Sequence, residues 1–486
     1  MIPLLLILIP LLSGLALFAW KNDGATKNAS LIASIVTLIV SLAGFTILKN
    51  ASALVYNVEW MPALGSRFRI ELDGMGQILC LLTALSFPLI FIATYKNEYK
   101  GANRFYALML LSQAGLMGVF MAKDALLFYF FWELALIPVY FLCSIWGGER
   151  RIAVTFKFFI YTFVGSLLML VSIIYIYFQA NQSFAIESFY AIKLASGTES
   201  WLFWLFFIAF AIKMPIFPFH TWQPDTYEQA PTAVTMVLSA IMVKMGVFGL
   251  IRWMAPVVPM GTYIWGDRAT WFAIIGMIYA SLIAIQQDDL KRLVAYSSIA
   301  HVGLMCVAVL AATKSGMQGV MIQMFNHGIN ILGLWIVVNA IEQKFHTRKM
   351  SELGGLAQKA PGLAILLVVV ALANIALPLT NGFVGEFLMF NGVLSSTATK
   401  SNVAFTAVAG LSIILAAIYT LRMIQKVFYG NTNTLTASGT DISMNVKFAL
   451  MIIVLLIFVG GIYPKPMLSV TSELTDVILS RMNLRY

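Results

Sequence analysis

The chain has 486 residues, of which 60% are hydrophobic and only 11% charged, with a formal charge of +10. At a mean hydropathy of +0.87 it has too few charges to coat a water-facing globule of this size, which excludes a soluble enzyme and leaves a polytopic membrane protein. The basic excess is scattered between apolar runs and not gathered on a soluble domain, so it argues for membrane topology and against nucleic-acid binding.

A bilayer needs runs of roughly 20 apolar residues. The first, Pro3–Trp20, has no basic leader or small-residue cleavage site and is expected to be a retained span. Further spans are predicted at Ala29–Leu48, Gly76–Tyr95, Phe105–Ala122, Leu126–Trp146 and Ala153–Ala180. Next come Trp201–Phe219, Thr232–Trp253, Trp271–Ile285, Leu290–Ala312 and Met317–Ile341, and then Gly362–Leu394, Val403–Phe428 and Val446–Tyr463. The fold class is therefore an all-α polytopic membrane protein with about fourteen transmembrane helices. The connections Asn50–Asp73 and Asn181–Ser200 have room for a hairpin or a short surface helix, and no soluble catalytic domain fits. Cys80, Cys143 and Cys306 lie in apolar runs without CxxC or Cys/His spacing, so neither a disulfide framework nor a metal site is expected. If residue 1 is outside, the alternate connections bearing Lys21, Lys27, Lys96, Arg104, Arg150, Arg151, Lys291, Arg292, Arg348 and Lys349 fall inside. Both termini are then expected on the outer, periplasmic side.

The stretch Ala211–Pro231, AIKMPIFPFHTWQPDTYEQAP, organises the chain. Lys213 stands in an apolar segment, where a lysine costs roughly 2.5 to 3.5 kcal/mol and so faces a cavity or a partner. Pro215 and Pro218 follow at once, remove backbone donors and break the helix. Such a break is tolerated at membrane depth only where protein or trapped water satisfies the freed carbonyls. A second break is expected at Leu377-Pro378-Leu379-Thr380-Asn381-Gly382, with Glu386 beyond it. By helix order both breaks fall on the fourth helix of a five-helix unit. Paired interruptions of this kind point to inverted repeats around a mid-membrane path. The expected division is 1–104 (three N-terminal helices), 105–254 and 255–428 (inverted five-helix repeats, each with a broken helix) and 429–486 (last span and tail).

Ionisable groups at membrane depth default to functional hypotheses. Glu133 in FYFFWELALIPVYFL and Lys244 in LSAIMVKMGVFGLIRW are of this kind. A Glu/Lys pair at about 4 Å interacts by roughly 4 kcal/mol at an effective dielectric near 20, before desolvation is counted. His301 and His327 fall within the tenth and eleventh spans, and histidine can accept a proton on one nitrogen and release it from the other. A lone membrane histidine equally serves as a hydrogen-bonded structural residue. Ser297, Ser298 and Asn326 beside them favour wet surroundings. His220 follows the first break and is expected near the inner surface. Lys157 reads either as an inner-end anchor or as the mouth of a relay. Arg252 and Trp253 end an apolar run and read as a snorkelling anchor and an interface residue.

The segments KMPIFPFHTWQPDTYEQAPT, FWELALIPVYFL, DDLKRLVAYSSIAHVG and LPLTNGFVGEF together resemble the antiporter-like proton-pumping subunits of NADH:quinone oxidoreductase, respiratory complex I. The likeness extends over nearly the whole chain. Glutamate in the broken twelfth helix and the absence of a long lateral helix resemble the M-type chain. One departure is Thr226-Tyr227, where the family more often has Ala-His, and these residues are expected in a loop. The resemblance implies a relay in which Glu133 is the switching carboxylate, Lys213 its ion-pair partner and Lys244 the central carrier. His301 and His327 would continue it and Glu386 would terminate it, with Lys157, His220, Ser297 and Ser298 as accessory groups. It further implies L-type and N-type antiporter-like partner chains and a bacterial inner membrane. NADH, FMN, iron–sulfur clusters and quinone are expected in partner subunits, because this chain has no GxGxxG after a strand and no cysteine ligand set. Related alternatives are a subunit of a multi-subunit sodium/proton antiporter, a membrane-bound hydrogenase module and a purely structural membrane-arm chain.

Overall fold

The computed structural model describes residues 1–46 and 51–482. Ile47 and Leu48 of the expected second span, and Asn50 at the start of the connection after it, lie outside the described residues, as do the last four. A helix stands at each expected span position. Eleven described helices are long and apolar enough to cross a membrane, and Ile2–Phe18 and Pro361–Asn374 are apolar but shorter. Several boundaries differ from expectation. The ninth helix begins at Pro259, well before Trp271, and the helix expected over Trp201–Phe219 is Ser196–Lys213. An unforeseen helix, Lys465–Met482, follows the last span.

Capping explains many of the helix starts. Asp73, Asp124, Asp289 and Thr313 each accept backbone N–H bonds from the first turn of the helix that follows. In the connection before Asp73, strands Val55–Met61 and Ser66–Glu71 pair antiparallel as a hairpin, turned at Gly65 with φ +66°. This hairpin packs on the face that carries the N-terminal amine, which donates to the Ala53 carbonyl at 3.2 Å. The Lys465–Met482 helix lies on the same face, where Val470 closes over Gly74. The opposite face is laced by ion pairs. Arg292 Nη1 lies 3.1 Å from Asp225 and 2.8 Å from Glu228, and Lys291 lies 3.0 Å from Glu342.

Two capping aspartates share a further pattern. Asp124 pairs in an isolated antiparallel bridge with Ala185, and Asp289 does the same with Lys349. In each case the residue after the aspartate donates its N–H to a carbonyl beyond the next two long helices, Ala125 to Phe184 and Leu290 to Arg348. The reciprocal bonds also match, Ile186 to Lys123 and Met350 to Asp288. The two bridges stand on opposite faces of the bundle, beside the hairpin and beside the ion-pair lattice.

Close helix approach depends on glycine at two places. A Cβ on Gly246 would stand 2.5 Å from Met214 Cγ, and one on Gly249 would overlap the Phe210 ring. The Thr232–Met254 helix thereby packs directly against the end of Ser196–Lys213. Gly246→Val should overpack this contact, lowering stability by about 1 to 3 kcal/mol. Gly266→Ala, inside the helix Pro259–Gln286 where nothing stands within 4 Å of a Cβ, should instead raise the thermal unfolding temperature of the purified protein slightly, alanine being the better helix former by about 0.5 to 1 kcal/mol.

Candidate functional site: a buried row of ionisable residues

The first interruption begins immediately after Lys213. The chain turns through Pro215 and resumes as the helix Trp222–Gln229. One freed carbonyl, that of Ile212, accepts the Trp222 indole N–H at 2.9 Å. Lys213 is 2% exposed, and its Nζ has no hydrogen-bond partner but lies 5.5 Å from the Trp132 ring centroid. Glu133, one residue on, is half-buried, and its Oε1 is also without a partner. The structure thus holds the two groups on facing helices with the ammonium on the Trp132 ring and out of ion-pair contact.

Lys244 is fully buried in a helix that loosens into π turns at Leu238–Met242 and Leu250–Met254. Such turns shift the backbone ladder and recur at functional sites. Lys244 Nζ donates to the Ser239 carbonyl at 2.9 Å and lies 2.9 Å from His327 Nδ1. The His327 ring stands 5.5 Å from that of His301, centroid to centroid. His301 Nδ1 lies 3.0 Å from Glu386 Oε1, and its Nε2 is 3.4 Å from the Asn374 amide. A cavity of about 10 Å³ beside His301 and Glu386 has room for roughly one water. Lys244, His327, His301 and Glu386 therefore form one row, each no more than 8% exposed.

The second interruption runs from Ile375 to Thr380, between Pro361–Asn374 and Asn381–Leu394. Asn330 donates to the Ala373 carbonyl at 3.2 Å and Asn326 to that of Asn381 at 2.8 Å. These residues share the helix of His327. Gln323, Asn326, His327 and Asn330 stand at i, i+3, i+4 and i+7, one polar face on an apolar helix, and that spacing alone could have revealed them.

The accessory candidates separate. Ser297 joins the row, accepting from Asn374 at 3.2 Å and from the Tyr419 hydroxyl at 3.0 Å. Ser298 Oγ is buried without a partner. His220 is buried between the Phe217 and Tyr279 rings, one residue before the exposed Thr221, whose carbonyl accepts Lys157 on the ion-pair face. Lys157 pairs with Asp225 at 2.9 Å on the ion-pair face, beside a cavity of about 900 Å³ lined by Glu228, Lys291, Glu342 and Arg348.

Two expectations are corrected. Tyr227 does not lie in a loop but on the helix Trp222–Gln229, fully buried, because Pro224 occupies the first turn, where proline is tolerated. Arg252 does not snorkel. It is 2% exposed and its Nη2 lies 2.5 Å from Asp73 Oδ2.

A membrane-family model described as NADH:quinone oxidoreductase/Mrp antiporter matches residues 122–412, the region that carries every group of the row. The chain belongs to this family. NADH-quinone oxidoreductase subunit M of Escherichia coli K12 is 32% identical over 95% of this chain and 94% of that protein. The subunit of the same name from Rickettsia typhi is 32% identical over 96% of each chain. F(420)H(2) dehydrogenase subunit M of Methanosarcina mazei is 34% identical over 98% of this chain and 97% of that one. Among solved structures, a chain of respiratory complex I from Thermus thermophilus superposes with a TM-score of 0.92 at 28% identity, covering 99% of this chain and 100% of that one. The family relationship thus extends over the whole bundle and not only the motifs.

On the ion-pair face, burial alone would raise the Asp225 carboxyl, but hydrogen bonds from Lys157 and Arg292 outweigh it and hold the group below the usual carboxylate range. A carboxylate with a lowered folded pKa contributes stability that is complete above its unfolded pKa of about 3.9 and is lost as pH falls through the folded value. Thermal melts should therefore place Asp225→Asn below the native protein at neutral pH by a constant difference, which shrinks only in acid below about pH 4.

Proposed function

We propose that the chain is the M-type membrane-arm subunit of a proton-translocating NADH:quinone oxidoreductase in a bacterial inner membrane. It would cross the bilayer fourteen times, with both termini outside, 105–254 and 255–428 acting as inverted five-helix units. The observation that carries this is the row Lys244–His327–His301–Glu386 inside an apolar bundle, in hydrogen-bond contact at its two ends and joined in the middle by the facing His327 and His301 rings, since such groups are costly at this depth unless they serve a path. The matched bridges at Asp124 and Asp289 support the inverted division.

A proton taken up from the ion-pair face arrives on Lys244. It passes to His327 Nδ1, the atom already in hydrogen-bond contact, while the far nitrogen of the ring releases its own proton toward His301. His301 hands on through its contact with Glu386, which delivers the proton to the outer side. Glu133 and Lys213 set the direction. With Glu133 drawn away, the Lys213 ammonium is uncompensated, and like-charge repulsion at Lys244 drives its proton along the row. Quinone reduction in partner subunits supplies the energy. NADH, FMN, iron–sulfur clusters and quinone are assigned to those partners, and the L-type and N-type chains are the neighbours in the membrane arm.

A second reading, a sodium/proton antiporter subunit, draws on the Mrp half of the family description and predicts sodium-dependent transport without NADH oxidation.

In sealed vesicles, Lys213→Ala should assemble normally yet lower NADH-driven proton pumping several-fold per complex, with content quantified on the same membranes. Native pumping per assembled complex would sink the relay.

A further inference from the structure

Lys244, Phe248 and Arg252 stand at i, i+4 and i+8, in line along one helix that runs toward the hairpin face. Above Lys244 the Phe248 ring packs against Phe120 at 5.6 Å and Phe128 at 6.1 Å, an aromatic collar with no polar atom. Beyond it lies the Arg252 guanidinium, 5.3 Å from the Phe248 centroid. This cation is held in place. Asp73 Oδ2 binds Arg252 at 2.5 Å and Lys123 Nζ at 2.7 Å, while its other oxygen accepts the Gly76 N–H at 3.0 Å. The Arg252 carbonyl accepts the Tyr190 hydroxyl at 2.9 Å. Burial alone would raise the Asp73 carboxyl, but Arg252 and Lys123 hold it well below the usual carboxylate range, so the anion persists. Asp73 and Glu71, the latter 3.8 Å from Lys123 at the wetter edge, balance the two cations, so the cluster is neutral as a whole and locked, with the Arg252 guanidinium as the member that stands beside Phe248.

A proton on Lys244 thus has two geometric ways out: sideways to His327, or straight along its own helix to the hairpin face. The second would bypass the row. We propose that Phe248 and Arg252, locked by Asp73, form a proton-exclusion plug that closes the direct way, an inference that rests on the relay proposed above. Apolar constrictions exclude water, and a fixed arginine repels protons and cations, the two devices by which membrane pores refuse a proton. Arg252 does not carry a proton itself. It positions no substrate and acts by charge.

The test is passive proton leak in vesicles containing the assembled complex, read by a pH dye after an imposed pH step with no NADH present. Arg252→Gln removes the charge while Asp73 keeps Lys123, so no lone carboxylate is left. It should raise the leak several-fold per complex and lower the NADH-driven pH gradient while NADH oxidation continues. Arg252→Lys should restore the seal. Adding Lys244→Ala to Arg252→Gln should return the leak to the native level, because the leak is expected to pass through Lys244. Arg252→Gln at normal complex content with native leak and pumping overturns the plug and leaves the relay standing, as does a leak that survives Lys244→Ala. If Arg252→Gln does not assemble, Phe248→Ala should leak, and a tight Phe248→Ala complex overturns the plug. Lys244→Ala alone pumping at the native rate would instead overturn the relay itself.

Discussion

An interrupted helix inside a membrane strands carbonyl groups that no lipid can satisfy, and the architecture of this protein follows from where those carbonyls find donors. At the first break the Trp222 indole returns to the Ile212 carbonyl from the far side of the interruption. At the second, the Ala373 carbonyl takes donors from the Ala376 N–H and from Asn330 on a neighbouring helix, and Asn326 of that same helix pins Asn381, the first residue of the resumed helix. The neighbouring helix must therefore be central, and it is buried along nearly its whole length. Once it is central, His327, on the same polar face, falls between Lys244 and His301. The same polar face that repairs the backbone thus joins the two halves of the row.

Lysine burial follows a related economy of donors. Lys244 has three N–H groups and no water-facing surface, yet two are occupied, by Ser239 and His327. The π turn supplies the Ser239 carbonyl, so the irregularity in the helix and the lysine that needs it lie within five residues. Lys213 lacks such a partner and rests on an aromatic face. One lysine is anchored by two acceptors and the other by an aromatic face alone.

Much of this was legible in the sequence, and the exceptions have physical causes. Hydropathy located the spans because hydrocarbon thickness imposes a length, and proline located both breaks because it removes a donor. The start of the ninth helix escaped because Gly261, Thr262, Gly266, Asp267 and Arg268 dilute its first turns. Arg252 read as an interface anchor because its partner, Asp73, comes from a distant helix start, and local sequence carries no record of that contact. The π turns left no compositional mark. Tyr227 was misplaced because Pro-Asp looks like a turn, although a proline in a first helical turn is compatible with helix. The polar face at Gln323, Asn326, His327 and Asn330 was visible as spacing, but its service to the backbone of another helix was not.

Lys244, His327 and His301 each stand near the middle of their own helices, so the row runs across the bundle at nearly one depth. A charge crossing the full membrane works against the voltage by about 2.3 kcal/mol per 100 mV. A charge displaced along such a row traverses almost none of that drop. Membrane voltage would then act on the uptake and release steps at the two ends and leave the lateral steps electrically silent.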